Sequence, residues 1–199
     1  MKPMDVRFVL SAAAPSQFLR TGIPEIAMVG RSNVGKSSLI NALVKQKVAR
    51  TSAAAGKTRL VNYYLIDSAF YLVDLPGYGY ARGGRDSVEA FEQLTQAYFD
   101  PSTREERRVA GILQLVDSRH PELPQDIAGY SWLLAVQAPV AIVSTKVDKL
   151  NRSEQSTMLR ALKERYDSPV LPVSAFKGDG LDGIWKMIRG WTEAPPVHT

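Results

Sequence analysis

Gly30 and Gly35, followed by Lys36 and Ser37, fit the spacing G-x-x-x-x-G-K-[ST], and the chemistry of that pattern is the holding of phosphate. The two glycines let the backbone take turns that a Cβ would obstruct. The loop's N–H groups then converge on phosphate oxygens, helped by the positive end of the following helix. Lys36 would reach the terminal phosphates, and the Ser37 hydroxyl would ligate Mg²⁺. Asp74-Leu75-Pro76-Gly77 supplies an acid at the end of a neighbouring strand, where it would hold Mg²⁺ through water. Gly77 would offer its N–H to a γ-phosphate. Thr145-Lys146-Val147-Asp148 supplies a carboxylate that can accept two hydrogen bonds. Guanine's N1–H and N2 amino group are two parallel donors, and adenine has no such pair. Asp148 is therefore the candidate guanine reader, with the Lys146 stem along the base plane. In Val173-Ser174-Ala175 small residues let backbone amides approach the guanine O6. Thr58, in Gly56-Lys57-Thr58, is a candidate second hydroxyl for Mg²⁺ when a γ-phosphate is present. Taken singly, D-x-P-G is also a common turn, T-K-V-D a surface turn with an i, i+2 ion pair, and Thr58 an exposed threonine. Their order along the chain favours the chemical reading.

The elements that must position these residues follow from periodicity. Ile26–Val29 reads as a buried strand leading into the glycine loop, and Leu39, Ile40, Ala42 and Leu43 begin a helical stripe. Residues 5–10 suggest a strand, and 11–25, with Pro15, Gly22 and Pro24, a loop. The stretch from Val48 to Thr58 holds neither period and reads as a mobile loop or a short helix. Leu60–Ile66 and Phe70–Val73 read as antiparallel neighbours across Asp67-Ser68. Asp74 to Arg85 is a glycine-rich loop, and helical spacing returns at Val88, Phe91, Leu94, Thr95 and Tyr98. Strand and helix then alternate: strand Val109–Val116, helix Pro124–Val136, strand Val140–Val143, and a helix from Ser153 to Arg165 with Ser153 as its N-cap. Val170–Val173 is a strand that Pro172 places near the sheet edge. A last helix is marked by Leu181, Ile184, Trp185 and Ile188, and Pro195-Pro196 ends the ordered chain. This alternation predicts an α/β fold, a mostly parallel sheet covered by helices on both faces.

Composition sets outer bounds. With 199 residues, 45% hydrophobic and 23% charged, the chain is expected to form one soluble domain. No apolar run approaches the ~20 residues of a membrane helix. Cys is absent, so there is no disulfide or thiolate zinc site, in keeping with a reducing cytoplasm. A net charge of +5 and a pI of about 9.5 suit an anionic partner, nucleic acid ahead of membrane. Basic residues cluster at Lys45–Lys47–Arg50, Arg82–Arg85 and Arg104–Arg107–Arg108, each by itself more often a solvated face than a binding patch.

The ordered motifs resemble the guanine-nucleotide site of translation-factor-type P-loop GTPases. P-E-I-A-M-V-G-R-S-N-V-G-K-S-S-L-I-N-A-L, G-K-T-R, D-L-P-G-Y-G-Y-A and S-T-K-V-D-K-L are similar to the EngB family (also called YihA or YsxC), over roughly residues 20–190. The resemblance implies the three-layer P-loop NTPase fold with a mixed six-stranded sheet, in a single G domain over 1–199 whose core is about 20–192. It implies GTP and GDP as ligands and Mg²⁺ held by Ser37 and Thr58. The implied nucleotide site takes in Gly30, Arg31, Ser32, Asn33, Val34, Gly35, Lys36, Ser37 and the adjoining Ser38. It continues through Gly56, Lys57, Thr58, Arg59 and Leu60, then Asp74, Leu75, Pro76 and Gly77. The base end is Thr145, Lys146, Val147, Asp148, Val173, Ser174 and Ala175. Lys36, Thr58 and Gly77 are the residues implied in hydrolysis. The implied role is a cytoplasmic, monomeric switch in assembly of the ribosomal large subunit, contacting rRNA and ribosomal proteins, with normal division septum formation depending on it.

Some residues depart from the general GTPase pattern. Thr145 stands where most GTPases have Asn, and a shorter side chain predicts a looser grip on the nucleotide. Tyr78 follows D-L-P-G, where Ras-like proteins carry a water-orienting Gln, which predicts slow intrinsic hydrolysis raised by a partner or a monovalent cation. Arg82 and Arg85 are candidate arginine fingers. Asn33 resembles the position that coordinates K⁺ in some related GTPases; a hydrogen bond inside the loop is its other reading. Tyr78 and Tyr80 would either cover the loop or stack on RNA bases. His120 and His198 are read as a loop residue and a solvated tail residue. A P-loop kinase acting on a small metabolite and a constitutive RNA-binding module with a vestigial nucleotide site are the rival readings. An intact Lys36, Ser37 and Asp74 speaks against the second. T-K-V-D and S-A at the ends of successive strands speak against the first.

Overall fold

A strand with a continuous apolar run must be covered on both faces, and Pro24–Gly30 (β2) is: every residue from Glu25 onward is buried. Its side chains alternate between two cores. Ala27 and Val29 belong to one, Ile26 and Met28 to the other. The computed structural model describes residues 4–49, 60–78, 93–104 and 106–194.

The strands are Val6–Ala12 (β1), β2, Val61–Ile66 (β3), Phe70–Asp74 (β4), Arg108–Asp117 (β5), Val140–Thr145 (β6) and Val170–Pro172 (β7). They form one seven-stranded sheet in the order β1-β3-β4-β2-β5-β6-β7. β3 pairs antiparallel with both β1 and β4, and the pairs from β4 through β7 are parallel. The expected mixed α/β sheet is present, with one strand more than the expected six: β1 adds to the edge beyond β3. Pro172 lies on the outermost strand β7, where a missing N–H breaks no ladder.

Helices Lys36–Val44 (α1) and, from the other end of the chain, Leu181–Glu193 (α5) pack Leu39, Ile40, Leu43, Ile184 and Ile188 on one face. Burying each such side chain stabilises by about 1.5–3 kcal/mol. The other face is covered by α2, helical over residues 93–99, by Pro124–Leu133 (α3) and by Arg152–Arg165 (α4), through Leu94, Tyr98, Tyr130, Leu133, Met158 and Leu162. Among the described residues no helix is long and apolar enough to cross a membrane.

Three local expectations need correction. The N-cap of α4 is Asn151, two residues before Ser153. Its side chain accepts from the Glu154 N–H while Glu154 reaches back to the Asn151 N–H, a capping box worth about 1 kcal/mol. α3 ends at Leu133, three residues short of the expected Val136, and Leu134 just beyond it is 57% exposed. Arg104–Arg107–Arg108 is not one basic face. The Arg107 guanidinium is buried and donates twice to Glu25, at 3.1 and 2.6 Å, and once to the Tyr98 carbonyl at 3.0 Å. Arg108 reaches the carbonyls of Trp191, Thr192 and Ala194 at the end of α5.

β2, β4, β5 and β6 end at Gly30, Asp74, Asp117 and Thr145. In open α/β sheets the crevice outside the carboxyl ends of the strands is where ligands bind. Gly30 and Asp74 sit there because the parallel β2–β4 register pairs Met28 with Asp74.

Candidate functional site

The loop between β2 and α1 closes on itself through Lys36. Its Nζ donates to the carbonyl oxygens of Gly30 at 2.9 Å and Arg31 at 3.3 Å. The side chain is buried, and burial pushes its pKa down against the pull of the Asp74 charge. Gly30 and Gly35 adopt φ of 155° and 114°, the range in which a Cβ is strained. The amides of Asn33 and Gly35 in the loop and of Lys36 and Ser37 in the first turn of α1 have no hydrogen-bond partner among the described residues. Unpartnered N–H groups at a helix N-terminus form an anion nest.

Gly77 and Tyr78 lie directly on this loop. The Ser32 N–H donates to the Tyr78 carbonyl at 3.1 Å, the Ser32 hydroxyl reaches the Gly77 carbonyl at 3.4 Å, and Arg31 pairs with Tyr78 in an isolated parallel bridge. A Cβ on Gly77 would fall 2.8 Å from Lys36 Nζ and 2.8 Å from the Ser32 nitrogen, so only glycine allows this approach. The Tyr78 ring turns inward: its hydroxyl donates to Asp126 Oδ1 at 2.9 Å and accepts from Gln114 Nε2 at 3.2 Å. Cover, not a base-stacking face, is the reading this geometry favours for Tyr78.

Asp74 is buried at the end of β4. The Ser37 hydroxyl approaches its Oδ2 at 3.4 Å, and its Oδ1 has no partner among the described residues. Burial pushes its pKa up to about 6, against the Lys36 charge and the Ser37 hydrogen bond. An orphaned carboxylate oxygen beside a hydroxyl fits a hard divalent cation. The described residues hold no cluster of three or more His, Cys, Asp or Glu around it, which suits Mg²⁺ held largely by phosphate and water oxygens.

The T-K-V-D segment is tied to the same loop. The Thr145 hydroxyl lies 2.7 Å from the Val34 carbonyl and 3.1 Å from that of Val116. With one proton to give, it serves the closer Val34 first. Lys146 Nζ donates to the Asn33 carbonyl at 2.8 Å and to Asp117 Oδ2 at 2.8 Å. The ion pair open to Lys146 and Asp148 as a surface turn does not form; Lys146 pairs with Asp117 instead. Asp148 follows on the turn Val147–Lys149. Its Oδ1 accepts from the Ser174 hydroxyl at 2.7 Å, and this bond, with Lys149 nearby, holds the carboxyl below its usual range. The Val147 N–H donates to the Val173 carbonyl at 3.3 Å, which joins the T-K-V-D and V-S-A segments. Phe176, one residue past Ala175, is 87% exposed.

The structure thus brings together Gly30 to Ser37, Asp74 to Gly77, Thr145 to Asp148 and Val173 to Ser174. Leu75 is buried and donates its N–H to the Met28 carbonyl at 3.1 Å. Ser38 is exposed on α1 and His120 is exposed after β5. The Asn33 side chain is exposed and makes no hydrogen bond among the described residues, so the loop-internal bond is absent. Gly56, Lys57, Thr58 and Arg59 lie outside the described residues, as do Tyr80, Arg82, Arg85 and His198. Sequence reasoning missed Asp117 and Asp126. Burial raises the Asp117 pKa, but Arg119 and Lys146 outweigh it and hold the group well below the carboxylate range. Its position at the end of β5, three strands of one crevice already carrying motifs, was the available signal. Asp126 offered none.

A family model described as 50S ribosome-binding GTPase matches residues 25–146. A probable GTP-binding protein EngB of Limosilactobacillus reuteri is 40% identical over 194 residues, 95% of this chain and 97% of that protein. One from Syntrophomonas wolfei is 46% identical over 165 residues, 81% of this chain and 83% of the relative. Among solved structures, a probable GTP-binding protein engB covers 85% of this chain and 98% of its own at a TM-score of 0.68 and 24% identity. Era in complex with MgGDPNP and nucleotides 1506–1542 of 16S ribosomal RNA superposes at a TM-score of 0.71 and 24% identity over 90% of this chain. This chain spans 60% of that Era chain, and at such identity both structures speak to the fold.

Proposed function

Because the chain belongs to the EngB family of GTP-binding proteins, we propose that it is a slowly hydrolysing GTP switch, a single G domain that works in the cytoplasm on the ribosomal large subunit or its precursor. Normal septum formation at division would depend on that work. The observation that carries the reading is the direct tie between the two ends of the site. Thr145 and Lys146 bond to the carbonyls of Val34 and Asn33, within the loop that, with the first turn of α1, holds the four unpartnered amides. A base and a triphosphate bound by those two segments would be held as one rigid unit.

The proposed roles follow from chemistry. Asp148, acceptor-only when ionised, faces a two-donor purine edge. The amides of Asn33, Gly35, Lys36 and Ser37 take the β-phosphate charge, and the Lys36 ammonium and the Gly77 N–H take charge developing on the γ-phosphoryl oxygens. Ser37 and Asp74, with Thr58, would hold Mg²⁺, which neutralises phosphate charge when bound. Hydrolysis is slow in this reading because the residue after Gly77 is Tyr78, whose hydroxyl is committed to Asp126 and Gln114 and which has no amide to orient water. A partner or K⁺ would supply the missing acceleration. The net charge of +5 favours attraction to rRNA, and the family model's description supports the large subunit as the particle.

Titration with fluorescent GDP and GTP, competed by ATP, tests the reading. ATP should fail to displace either at about a hundredfold excess, because a site built on paired hydrogen bonds rejects a base that cannot make them. Displacement by ATP as effective as by GTP would favour a kinase. Sedimentation with large subunits should depend on GTP over GDP, and turnover should differ between K⁺ and Na⁺ buffers if Asn33 serves a cation.

A further inference from the structure

An acid in the first turn of a helix ordinarily faces water, where it complements the helix dipole. Asp126, in the first turn of α3, has no exposed surface. Its carboxylate meets the segments that follow β2 and β4. Arg31 Nε donates to both oxygens at 3.1 Å, the Tyr78 hydroxyl donates to Oδ1 at 2.9 Å, and the Asp126 carbonyl accepts from Gln114 Nε2 at 2.7 Å. Gln114 also donates to the Tyr78 hydroxyl, so the group is closed. Asp117 and Tyr166 are the other titratable groups near enough to sense it.

The two partners are not arbitrary. Arg31 is the second residue of the phosphate loop, and Tyr78 follows Gly77. Their backbones pair with each other, and Ser32 next door bonds both the Gly77 and Tyr78 carbonyls. One buried carboxylate therefore fastens both sides of the contact that brings Gly77 against Lys36 and the Ser32 amide. At the far end of the segment from Asp74 to Tyr78, the Ser32 hydroxyl on the Gly77 carbonyl and Gln114 Nε2 on the Tyr78 hydroxyl are the neutral side-chain contacts, at 3.4 and 3.2 Å, and Asp126 supplies the charged one.

We propose that Asp126 is a positioning residue for the nucleotide site: by holding Arg31 and Tyr78 together it sets how closely Gly77 lies to the phosphate loop. That spacing is the one a γ-phosphate must fit. GDP does not occupy it. Asp126 therefore governs discrimination between GTP and GDP and the rate of hydrolysis, while leaving GDP binding to the loop amides. The proposal rests on the GTP-switch reading above.

Three variants test it: Asp126→Asn, which keeps the volume but loses the charge that Arg31 meets, Tyr78→Phe, which removes one oxygen, and the double variant. Affinities for GDP and for a non-hydrolysable GTP analogue are measured by fluorescence, and hydrolysis by single-turnover phosphate release. Asp126→Asn is expected to weaken the GTP analogue and slow hydrolysis by about tenfold, the factor that one charge-assisted hydrogen bond supports. GDP affinity should stay within about threefold, since loop amides and not this node hold its phosphates. Tyr78→Phe should show a smaller change in the same direction, and the double variant should be no worse than Asp126→Asn alone, as for residues acting as one unit. A purely structural role would move GDP and GTP together with thermal stability. Equal shifts for the two nucleotides, an unchanged hydrolysis rate or additive effects would overturn the proposal. If Asp126→Asn does not fold, Tyr78→Phe carries the same test on the GTP-to-GDP ratio. A wild type that shows no preference for guanine nucleotides would instead sink the switch reading, a result distinct from unchanged ratios in the variants.

Discussion

Replacing Asp148 by Asn changes one atom and inverts half of the edge offered to a base. In the structure the Ser174 hydroxyl donates to Oδ1 at 2.7 Å, and Lys149 Nζ stands 3.6 Å from Oδ2. Both favour the ionised form, so at neutral pH the wild-type group only accepts. In the Asn variant Ser174 selects the orientation with the oxygen toward itself, leaving the Nδ2 donors toward the base. Guanine's N2 amino group then meets a donor, and its N1–H loses a charged acceptor. A hydrogen bond to a charged group contributes about 1.5–3 kcal/mol, and two are affected, for a loss of about 3–6 kcal/mol. At 1.4 kcal/mol per decade this raises the Kd for GDP by roughly 10²–10⁴-fold. Xanthine carries an oxygen where guanine carries N2, so xanthosine diphosphate should gain what GDP loses, while ADP stays weak for both proteins. Competition of fluorescent GDP by GDP, xanthosine diphosphate and ADP reads all three affinities. GDP binding within about threefold of wild type, well short of one charged hydrogen bond, would remove Asp148 as the base reader. So would GDP and xanthosine diphosphate weakening together.

Other perturbations separate the site from its support. Arg107→Met leaves Glu25 buried with, among the described residues, only the Tyr98 hydroxyl as side-chain partner, and should lower unfolding free energy in urea by about 3–5 kcal/mol. Glu25 is about 16 Å from Gly30 along β2 at ~3.3 Å per residue, so GDP affinity of the folded fraction should not change. Gly77→Ala puts a Cβ 2.8 Å from the Ser32 nitrogen, a backbone atom that cannot step aside. Single-turnover phosphate release should fall about a hundredfold, in the range of losing one preorganised donor, with GDP binding retained. Asp74 gives a pH signature in EDTA. A carboxyl raised from 3.8 to about 6 by burial favours the folded state below the unfolded value, and that contribution is lost as pH rises through 6. The gap is worth about 3 kcal/mol at 1.36 kcal/mol per pH decade. Asp74→Asn should therefore match wild-type stability near pH 4 and exceed it by up to about 3 kcal/mol above pH 7, the pull of the Lys36 charge being already contained in the net shift. An advantage that does not vary with pH would refute the cause assigned to the shift.

How far the sequence could be read depended on the range of each interaction. G-x-x-x-x-G-K-S is legible because strand, loop and helix are contiguous, and the backbone that makes the nest is encoded within a few residues. The strands were found from unbroken apolar runs, and the edge position of β7 from Pro172. Asn151 is legible too: Asn, then Glu three residues later, is the capping-box pattern. Thr145 was read as a weakened base contact from its length alone. Its hydroxyl in fact lies on the Val34 carbonyl, a partner 111 positions away, and its shortness suits a strand end that sits against the loop.

The residues that escaped are those whose direction is set by distant packing. Arg104, Arg107 and Arg108 look alike in a linear text, and charge counting assigns them to one face. Arg107 finds Glu25 82 positions away under the ring of Tyr98, 4.1 Å from its centroid, while Arg108 faces the end of α5. Asp126 and Arg31 are 95 positions apart, and no local pattern marks an acid in a first helical turn as turned inward. Such pairs share a physical signature that only coordinates display: a charge removed from water is stable when its partner is removed with it. The partner then reports what the charge is for. Glu25 and Arg107 meet at the far end of β2 and serve stability. Asp126 meets one residue of the phosphate loop and one beside Gly77, so its burial bears on the nucleotide.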